Sequence, residues 1–266
     1  MQDLHEITPV ILTFNEEENI ARTLRSLSWA PRVVIVDSGS SDATKPIAQS
    51  FKNVDWHVRA FDRHALQWEF AIKKTGISSR YVLALDADMQ TSSEFVREAQ
   101  ETFLPGGADG GVLSFQHWVL GGPMSSTLCP PQLRLFPTNS VCVRQAAHTQ
   151  DFSLPSTSAP PYRFRSRVIH DDRKPLERFV RNQLAYSQLE FDRISGQAHH
   201  SLKDRLRRAA LMPLLVPAAA YVLAGGPLAH SRSLCYALER LTYETLLAMR
   251  ILRARSGVDD LKETSI

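Results

Sequence analysis

The sequence contains only three cysteines, Cys129, Cys142 and Cys235, and no CxxC pair. A disulfide framework and a cysteine zinc site are therefore not expected, and the composition favours a reducing compartment. The N-terminal stretch MQDLHEITPV contains acids and no long apolar run, so no secretory signal is predicted. The net charge of +3 is too small to indicate a protein that binds nucleic acid.

Positive charge is concentrated near the end of the chain. Residues 201–256 contain nine Lys or Arg residues and three acids, whereas residues 1–200 are close to neutral. This difference predicts two parts. Residues 1–200 would form a catalytic or binding domain, and residues 201–266 would form a helical segment that is both basic and apolar.

An uncharged stretch of twenty-one residues, 209–229, lies within the second part. Its length would allow a membrane span, but Pro213, Pro217 and the glycine-glycine-proline run at 225–227 interrupt helical hydrogen bonding. Because basic residues flank the stretch, we expect it to lie on an anionic membrane surface. A helical lid packed on the domain or on a second subunit is the alternative.

Apolar runs alternate with amphipathic segments over the first ninety residues. The alternation of strand and helix predicts an α/β fold, a Rossmann-like domain with a mainly parallel central sheet. In such sheets, ligands bind at the carboxyl ends of the strands. Strands are predicted at residues 7–14, 33–36, 54–59, 81–85 and 134–137, and helices at residues 16–30, 45–51, 66–75 and around a first turn that contains Pro175.

The stretch YVLALDADMQ, residues 81–90, runs an apolar strand directly into Asp86 and Asp88. A buried, unpaired carboxylate is costly, so either these acids reach solvent at the strand end or a positive group lies beside them. Two carboxylates at this spacing are able to hold one Mg²⁺ or Mn²⁺ ion, which would bind the phosphate oxygens of a nucleotide. Gln90 offers a further oxygen ligand. Solvated loop acids are the alternative interpretation.

Polar residues also follow the first two strands. Asp37, which precedes SGSSD, is predicted to bind a nucleobase or ribose, or else to form an Asp turn that caps the next helix. That structural task is assigned mainly to Asp42. Asn15 is expected to cap the helix that follows it, and Glu16 is expected to contact the nucleoside or to stabilise the helix terminus.

Three stretches, TPVILTFNEEENI, VVIVDSGSSDAT and LALDADMQ, occur in this order and spacing. Over about residues 7–100 they resemble the N-terminal half of inverting family 2 glycosyltransferases with the GT-A fold. The RLF run, a histidine-containing segment and the basic, apolar tail resemble bacterial enzymes of lipopolysaccharide-core and envelope-glycan assembly. The DADMQ run also resembles polyprenol-phosphate mannosyl- and glucosyltransferases, in which the acids and the Gln bind the metal.

The resemblance implies a hexosyltransferase that uses a nucleotide-diphosphate sugar and a divalent metal, Mg²⁺ or Mn²⁺. Gln67 matches a helix position that lies near the diphosphate in relatives, and a structural role is its alternative. To the implied metal ligands we add His170, which would complete the metal shell, orient a phosphate or serve only as a hydrogen-bonding partner. The predicted nucleotide-sugar contacts are Pro9, Thr13, Glu16, Asp37, Gln67 and Asp86, and the predicted metal ligands are Asp86, Asp88, Gln90 and His170.

An inverting transfer needs a carboxylate that takes the proton of the acceptor hydroxyl. Related core glucosyltransferases carry a His-Glu pair where this chain has His148 and Thr149, and a threonine cannot act as that base. Asp151 is the preferred candidate, ahead of Asp171 and Asp172 in the stretch IHDDRKP.

These features together predict a metal-dependent glycosyltransferase whose acceptor is a membrane-anchored envelope glycan or lipid. The protein is expected in the cytoplasm, on the cytoplasmic face of the inner membrane. Arg173 and Lys174 would hold a phosphate of the donor or acceptor, or lie in a solvated helix start. A second prediction replaces the acceptor by polyprenyl phosphate, which is already an anion and needs no base. A prediction from another class is a catalytically inactive partner that binds nucleotide sugar.

Overall fold

The computed structural model describes residues 4–146, 149–156, 159–199 and 201–257. Contacts divide the chain into an N-terminal unit, Met1–Pro123 with Cys129–Lys174, and a C-terminal unit, Met124–Leu128 with Pro175–Ile266. In this division residues 175–199 group with the C-terminal helices, whereas the sequence predicts the domain boundary at residue 200.

The first four strands of the N-terminal unit are parallel, as the sequence predicts, and they lie in the order β3-β2-β1-β4. The strands in the described residues are β1 Ile7–Thr13, β2 Val33–Asp37, β3 Val54–Val58, β4 Tyr81–Asp86, β5 Met89–Gln90, β6 Gly111–Val119, β7 Gly122–Pro123, β8 Gln132–Pro137, β9 Cys142–Ala146, β10 Thr149–Ser153 and β11 Tyr162–His170. The helices of this unit are α1 Ile20–Ser26, α2 Thr44–Gln49, α3 His64–Lys74, α4 Ser93–Glu98 and α5 Leu104–Gly106, with a π-helical turn, Ala99–Phe103, between the last two.

The second half of the sheet is not parallel throughout, and here the prediction of a mainly parallel sheet is wrong. β8 lies between β4 and β6 and is antiparallel to each of them. β11 is parallel to β6, and the short strand β5 is antiparallel to β11. The physical reason is the connection of β6 to β8, because residues 120–131 contain no crossover helix and a connection of this kind joins antiparallel strands. The sheet is therefore mixed, and it places β8 directly beside β4.

β9 and β10 form a separate antiparallel pair. Phe152 of this pair packs edge-on against Trp68 of α3, with ring centroids 5.2 Å apart, and also packs against Phe136 of β8. The residues that follow, 154–156 and 159–161, form no helix or strand in the described part of the chain.

The parallel strands are covered on their two faces. Ile11 and Leu83 pack with Phe95 on one side of the sheet, and Val34 packs with Trp68 on the other. Because successive side chains of a strand point to opposite faces, a strand covered on both sides needs an uninterrupted apolar run. This requirement explains VVIV and YVLAL in the sequence, and it leaves polar residues only at the strand ends.

The C-terminal unit is helical in its described residues. Pro175 is the N-cap residue of the first helix and precedes its first turn, so its predicted position is shifted by one residue. The helices are α6 Leu176–Ser195, α7 Leu202–Arg208, α8 Met212–Leu223 and α9 His230–Arg255, with a 3₁₀ helix, Gly226–Ala229, before the last.

A buried ion-pair network joins three of these helices. Arg207 of α7 is 5% exposed and pairs with Glu190 of α6 and with Glu244 of α9, the latter at 2.7 Å from Nη2 to Oε1. Arg193 of α6 adds a pair with Asp204, 2.6 Å from Nη2 to Oδ1. Because a buried charge is costly unless it is paired, this network fixes α7 against α6 and α9.

No single helix in the described residues is long and apolar enough to cross a membrane. α7 and α8 reach the necessary length and composition only as a pair, and the chain bends by 120° between them.

Replacing Arg207 by methionine should destabilise the C-terminal unit, because Glu190 and Glu244 would lose the cation that they share. Removing one partner of a buried ion pair costs about 3–5 kcal/mol, so the free energy of unfolding in a urea titration should fall by about 3 kcal/mol. Arg205→Met changes an exposed position of the same helix and should cost less than about 0.5 kcal/mol. Equal losses for the two variants would contradict a stabilising network.

Candidate functional site

The carboxyl ends of several strands lie side by side at one edge of the N-terminal unit. β1 pairs with β2 and with β4 in registers that set Thr13 opposite Asp37 and Leu12 opposite Asp86. β11 reaches this edge through β5, where His170 is opposite Met89. The polar residues that follow these strands therefore form one candidate site, as expected where parallel strands end.

Asp37 forms the turn after β2. Its Oδ1 accepts hydrogen bonds from Thr13 Oγ1 at 2.8 Å and Ser40 Oγ at 2.5 Å. Its Oδ2 accepts from the backbone N–H groups of Gly39 and Ser40 at 2.9 and 2.8 Å. Gly39 has a φ of +95°, which only glycine adopts without strain. The structure thus has the Asp turn, and the nucleotide contact of Asp37 and of Thr13 stays a prediction.

The expected cap at Asn15 is wrong. Asn15 has a φ of +54°, and α1 begins only at Ile20, with Asn19 as its N-cap residue. The N–H of Asn15 donates to Ser40 Oγ at 2.7 Å, and its Oδ1 accepts from the N–H of Ser41 at 2.8 Å. Asn15 therefore ties the loop after β1 to the loop after β2.

Lys174 lies at the centre of a strand-end cluster, which comprises Glu16, Asp88, His170, Asp172 and Lys174. Its Nζ lies 3.1 Å from Glu16 Oε2, 3.6 Å from Asp88 Oδ2 and 3.2 Å from Asp172 Oδ1. Burial lowers the pKa of Lys174, but the three carboxylates outweigh burial and raise that pKa above its usual range. One buried cation therefore balances part of the charge of three acids.

Glu16 is enclosed by the strand-end cluster. Its side chain is 13% exposed, and its Oε2 accepts a hydrogen bond from Asn19 Nδ2 at 3.1 Å. Burial raises the pKa of the Glu16 carboxyl to about 7, against the opposing effect of Lys174. Burial prevails because Lys174 is shared with two other carboxylates. The side chain thus supports the loop after β1, and its contact to a nucleoside stays a prediction.

Asp86 is bound by a guanidinium group from the neighbouring strand. Arg134 of β8 donates from Nη1 to Oδ1 and from Nη2 to Oδ2, each at 3.2 Å. The Arg134 side chain is 7% exposed, whereas that of Asp86 is 43% exposed. The positive neighbour that the sequence requires for these acids is therefore present, and Asp86 also reaches solvent.

Asp88 is 7% exposed and lies between His170 and Lys174. His170 Nε2 lies 3.2 Å from Asp88 Oδ1, and His170 Nδ1 lies 3.0 Å from Nε2 of His117. Burial raises the pKa of Asp88, but the charges of His170 and Lys174 outweigh it and hold that pKa well below its usual range. Burial lowers the pKa of His170, and the Asp88 carboxylate raises it above its usual value. Each partner thus stabilises the charged form of the other.

Two of the candidate bases lie next to each other in different surroundings. Asp171 is 4% exposed, and its carboxylate is bound by Arg173 Nη2 at 2.7 Å, with Arg22 Nε at 3.7 Å. The Asp172 side chain is 44% exposed, and its Oδ1 accepts from Asn19 Nδ2 at 2.9 Å. Its Oδ2 accepts no hydrogen bond from any residue that the structure describes. Of these two candidates, Asp172 is therefore the one with an oxygen open to a substrate.

Asp151, the base preferred on the sequence, lies outside the strand-end cluster. It occupies an exposed position of β10, opposite Arg144 of β9, and its carboxylate forms no hydrogen bond or ion pair with the part of the chain described. Thr149 is exposed on the same strand, and His148 lies outside the described residues. The structure does not bring Asp151 together with Asp88, and its role as a base stays a prediction.

Three further predicted contacts do not join the cluster. Gln67 is completely buried, and its Nε2 donates to Ser38 Oγ at 2.9 Å, so it supports the loop after β2. Pro9 is buried in the middle of β1, opposite Leu83, and not at the carboxyl end. Gln90 pairs with β11 through its backbone, and its side chain forms no hydrogen bond to a described residue. The predicted contacts of these three residues with the donor or the metal stay predictions, and the places of the residues in the structure do not support them.

The chemistry of Asp88 and His170 suits a divalent ion, whereas both oxygens of Asp86 already accept hydrogen bonds from Arg134, and its role as a metal ligand stays a prediction. Asp88 Oδ1 is buried and accepts no well-aligned hydrogen bond, although His170 Nε2 is 3.2 Å away. Mg²⁺ usually takes one or two protein carboxylates together with substrate phosphates and water. Among the described residues no three His, Cys, Asp or Glu side chains are grouped to hold a metal, so the predicted four-residue set is not assembled.

Arg134 and His117 were not predicted as site residues. The run RLF indicates a strand, but the sequence does not show that this strand lies beside β4, because the mixed order of the sheet decides that placement. The requirement for a positive group beside Asp86 was the only signal, and it does not identify which arginine meets it.

Residues 8–121 match the family described as Glycosyl transferase family 2. Two curated relatives match shorter segments. The glycosyltransferase AglE of Haloferax volcanii is 30% identical over 42% of this chain and 40% of its own length. The lipopolysaccharide core biosynthesis glycosyltransferase LpsC of Rhizobium meliloti is 31% identical over 31% of this chain and 31% of its own. The matches thus span less than half of the length of these relatives.

Solved structures show a weaker likeness. TarS of S. aureus, residues 1–349 in complex with UDP, is 14% identical, with a TM-score of 0.49 over 94% of this chain and 91% of that one. Glucosyl-3-phosphoglycerate synthase of Mycobacterium tuberculosis, in complex with Mn²⁺, UDP and phosphoglyceric acid, is 18% identical, with a TM-score of 0.35 over 42% of this chain and 43% of that one. Scores of this size support no conclusion about ligands. The family match concerns the fold of one segment: residues 8–121, which lie in the mixed α/β sheet, are a glycosyl transferase family 2 domain.

Proposed function

We propose that the chain is an inverting glycosyltransferase, which moves a sugar from a nucleotide-diphosphate sugar to a membrane-anchored acceptor. The observation that carries the proposal is the meeting of Asp88, His170 and Asp172 at the carboxyl ends of the strands of a family 2 domain. A metal-binding pair and a carboxylate open to solvent are the groups that such a transfer needs. One of the two curated relatives is named for lipopolysaccharide core biosynthesis, and this name supports the acceptor class.

Asp88 and His170 would hold a divalent ion, Mg²⁺ or Mn²⁺. When bound, the ion neutralises the charge that grows on the leaving diphosphate. Lys174 stays beside Asp88 and Glu16 and limits the repulsion between these acids and the phosphates. Asn19 and Lys174 fix Asp172 through its Oδ1, so that Oδ2 is left for the proton of the acceptor hydroxyl. We therefore place Asp172 ahead of Asp151 and Asp171 as the general base.

The C-terminal unit supports an acceptor at a membrane surface, on the cytoplasmic face of the inner membrane. Leu214, Val222 and Leu228 are 72%, 71% and 99% exposed, although each is strongly apolar. Residues 205–238 contain no acid, and three of their arginines, Arg205, Arg208 and Arg232, are not buried, which suits an anionic leaflet.

Polyprenyl phosphate is the second acceptor that we consider, because Thr149 stands where related core glucosyltransferases carry the Glu. An acceptor of this kind is already an anion. Its glycosylated product is labile in acid, whereas a glycan-linked sugar is not, so acid treatment of the radiolabelled product distinguishes the two acceptors.

Donor binding tests the proposal first. We expect one of UDP, GDP, ADP and dTDP to raise the melting temperature of the chain in the presence of Mn²⁺, since ligand at 100 times its Kd stabilises by about 2.7 kcal/mol. Asp88→Asn and His170→Gln should each abolish the part of this shift that depends on Mn²⁺. Asp192→Asn, an exposed acid of α6, should leave it unchanged. A shift that survives unaltered in Asp88→Asn would rule out the metal assignment.

Asp172→Asn should lower the rate of sugar transfer to a membrane extract about 10²–10⁴-fold, the usual contribution of a general base. Donor affinity should change less than threefold, because the amide keeps the hydrogen bonds of Oδ1. Asp151→Asn is the matched control and should retain the wild-type rate. The reverse result, with transfer lost in Asp151→Asn and kept in Asp172→Asn, would return the role to Asp151. Donor binding without any release of diphosphate by the wild type would indicate an inactive partner.

Binding to vesicles tests the membrane surface. The wild type should sediment with phosphatidylglycerol vesicles at low salt and much less with phosphatidylcholine vesicles. Leu214→Glu combined with Leu228→Glu should weaken this binding at least tenfold, whereas Val58→Glu, an exposed apolar position of β3, should not. A wild-type chain that does not bind anionic vesicles would contradict a membrane role. A wild-type dimer in sedimentation experiments that becomes a monomer in the double leucine variant would also contradict it.

A further inference from the structure

The pair of Asp86 and Arg134 differs from the other ion pairs at the strand ends. Its two hydrogen bonds run in parallel between the two guanidinium nitrogens and the two carboxylate oxygens, each at 3.2 Å. A two-point pair of this kind fixes the plane of the carboxylate as well as its position. The contacts of Asp88 to His170 and Lys174 are single and lie at 3.2 and 3.6 Å.

Arg134 is itself held from three sides. Its Nε donates to Gln132 Oε1 at 3.0 Å, and its guanidinium lies over the ring of Phe115, 5.8 Å from the centroid. With only 7% of its side chain exposed, the guanidinium has little freedom to turn toward solvent. A buried cation needs a partner, and among the described residues Asp86 is the carboxylate bound to it.

Asp86 is the exposed member of the pair, at 43%. Since each oxygen already accepts one bond from Arg134, its remaining lone pairs point to the open side of the site. These lone pairs are suited to accept hydrogen bonds from the nucleotide sugar. They are not suited to bind a metal ion while the guanidinium holds both oxygens. Arg134 also cancels the charge that would otherwise repel the diphosphate.

We propose that Arg134 is a positioning residue, which aims Asp86 at the donor and keeps it out of the ligand set of the metal. The inference rests on the proposed function and divides the two acids of the DADMQ run. Asp88 serves the metal, and Asp86 serves the nucleotide sugar through Arg134. The sequence assigns Asp86 to both the nucleotide sugar and the metal, and the choice between the two depends on the neighbouring strand.

A double-mutant cycle on nucleotide binding tests whether Arg134 acts through Asp86. The probe is the nucleoside diphosphate, of UDP, GDP, ADP and dTDP, that stabilises the wild type most, and its Kd is measured by calorimetry on the full chain. Arg134→Gln and Asp86→Asn should each weaken binding about tenfold, and the double variant should also weaken it about tenfold. A loss near a hundredfold in the double variant, or none in Arg134→Gln, would overturn the inference.

The dependence of nucleotide binding on metal provides a second readout. A purely structural role of these residues would not produce different dependences in the Asp86 and Asp88 variants. Each Kd is measured in EDTA and in saturating Mn²⁺, and the ratio reports how strongly metal and nucleotide support each other's binding. Arg134→Gln and Asp86→Asn should keep the wild-type ratio within about threefold, whereas Asp88→Asn should bring it close to one. A ratio that collapses in Asp86→Asn would show that Asp86 is a metal ligand.

Controls separate this inference from its alternatives. Arg144→Gln removes an exposed arginine of β9 and should change neither Kd nor ratio. Melting temperatures measured without ligand identify any variant that is unfolded. If a variant that lacks Arg134 is unfolded, the ratio of the two Kd values of Asp86→Asn decides whether Asp86 is a metal ligand. If no nucleoside diphosphate binds the wild type, the proposed function itself fails. If the wild type binds and the cycle is additive, only the role of Arg134 fails.

Discussion

Compensation of charge at the carboxyl ends of the strands is the constraint on which the site depends. The interiors of β1, β2 and β4 are covered on both faces, so acids are tolerated only where these strands end. Arg134 of β8 balances Asp86, and His170 and Lys174 balance Asp88. The second half of the sheet therefore does more than complete the core, because it supplies the cations that the first half requires.

Neighbouring acids acquire different properties from these surroundings. Asp86 and Asp88 stand one residue apart, yet one is half exposed and oriented by a guanidinium, while the other is buried beside an imidazole. Asp171 and Asp172 are adjacent, yet the first is bound by Arg173 and the second keeps an open oxygen. Environment rather than residue type thus separates the roles that we propose for binding, metal and base.

The sequence predicts the parallel half of the sheet well, because strands covered on both faces need runs such as VVIV and YVLAL. It fails for β8, whose direction depends on a connection without a helix, and for Asn15, whose positive φ no pattern indicates. It names Asp86, Asp88, His170 and Asp172 but ranks Asp151 above Asp172. The ranking proposed from the structure differs for a physical reason, because exposure and neighbouring cations are fixed by residues far away in the chain.

The mixed order of the sheet also affects how the protein is made. Asp86 meets Arg134 across 48 positions of sequence, and Asn19 meets Asp172 across 153. Residues 8–121, the segment that matches the family, are synthesised before Arg134, His170 and Lys174. Asp86 gains its counterion only after residue 134 has been synthesised, and Asp88 gains Lys174 only after residue 174 has been, and pairings across such separations form slowly. The segment that matches the family is thus too short to form the complete candidate site by itself.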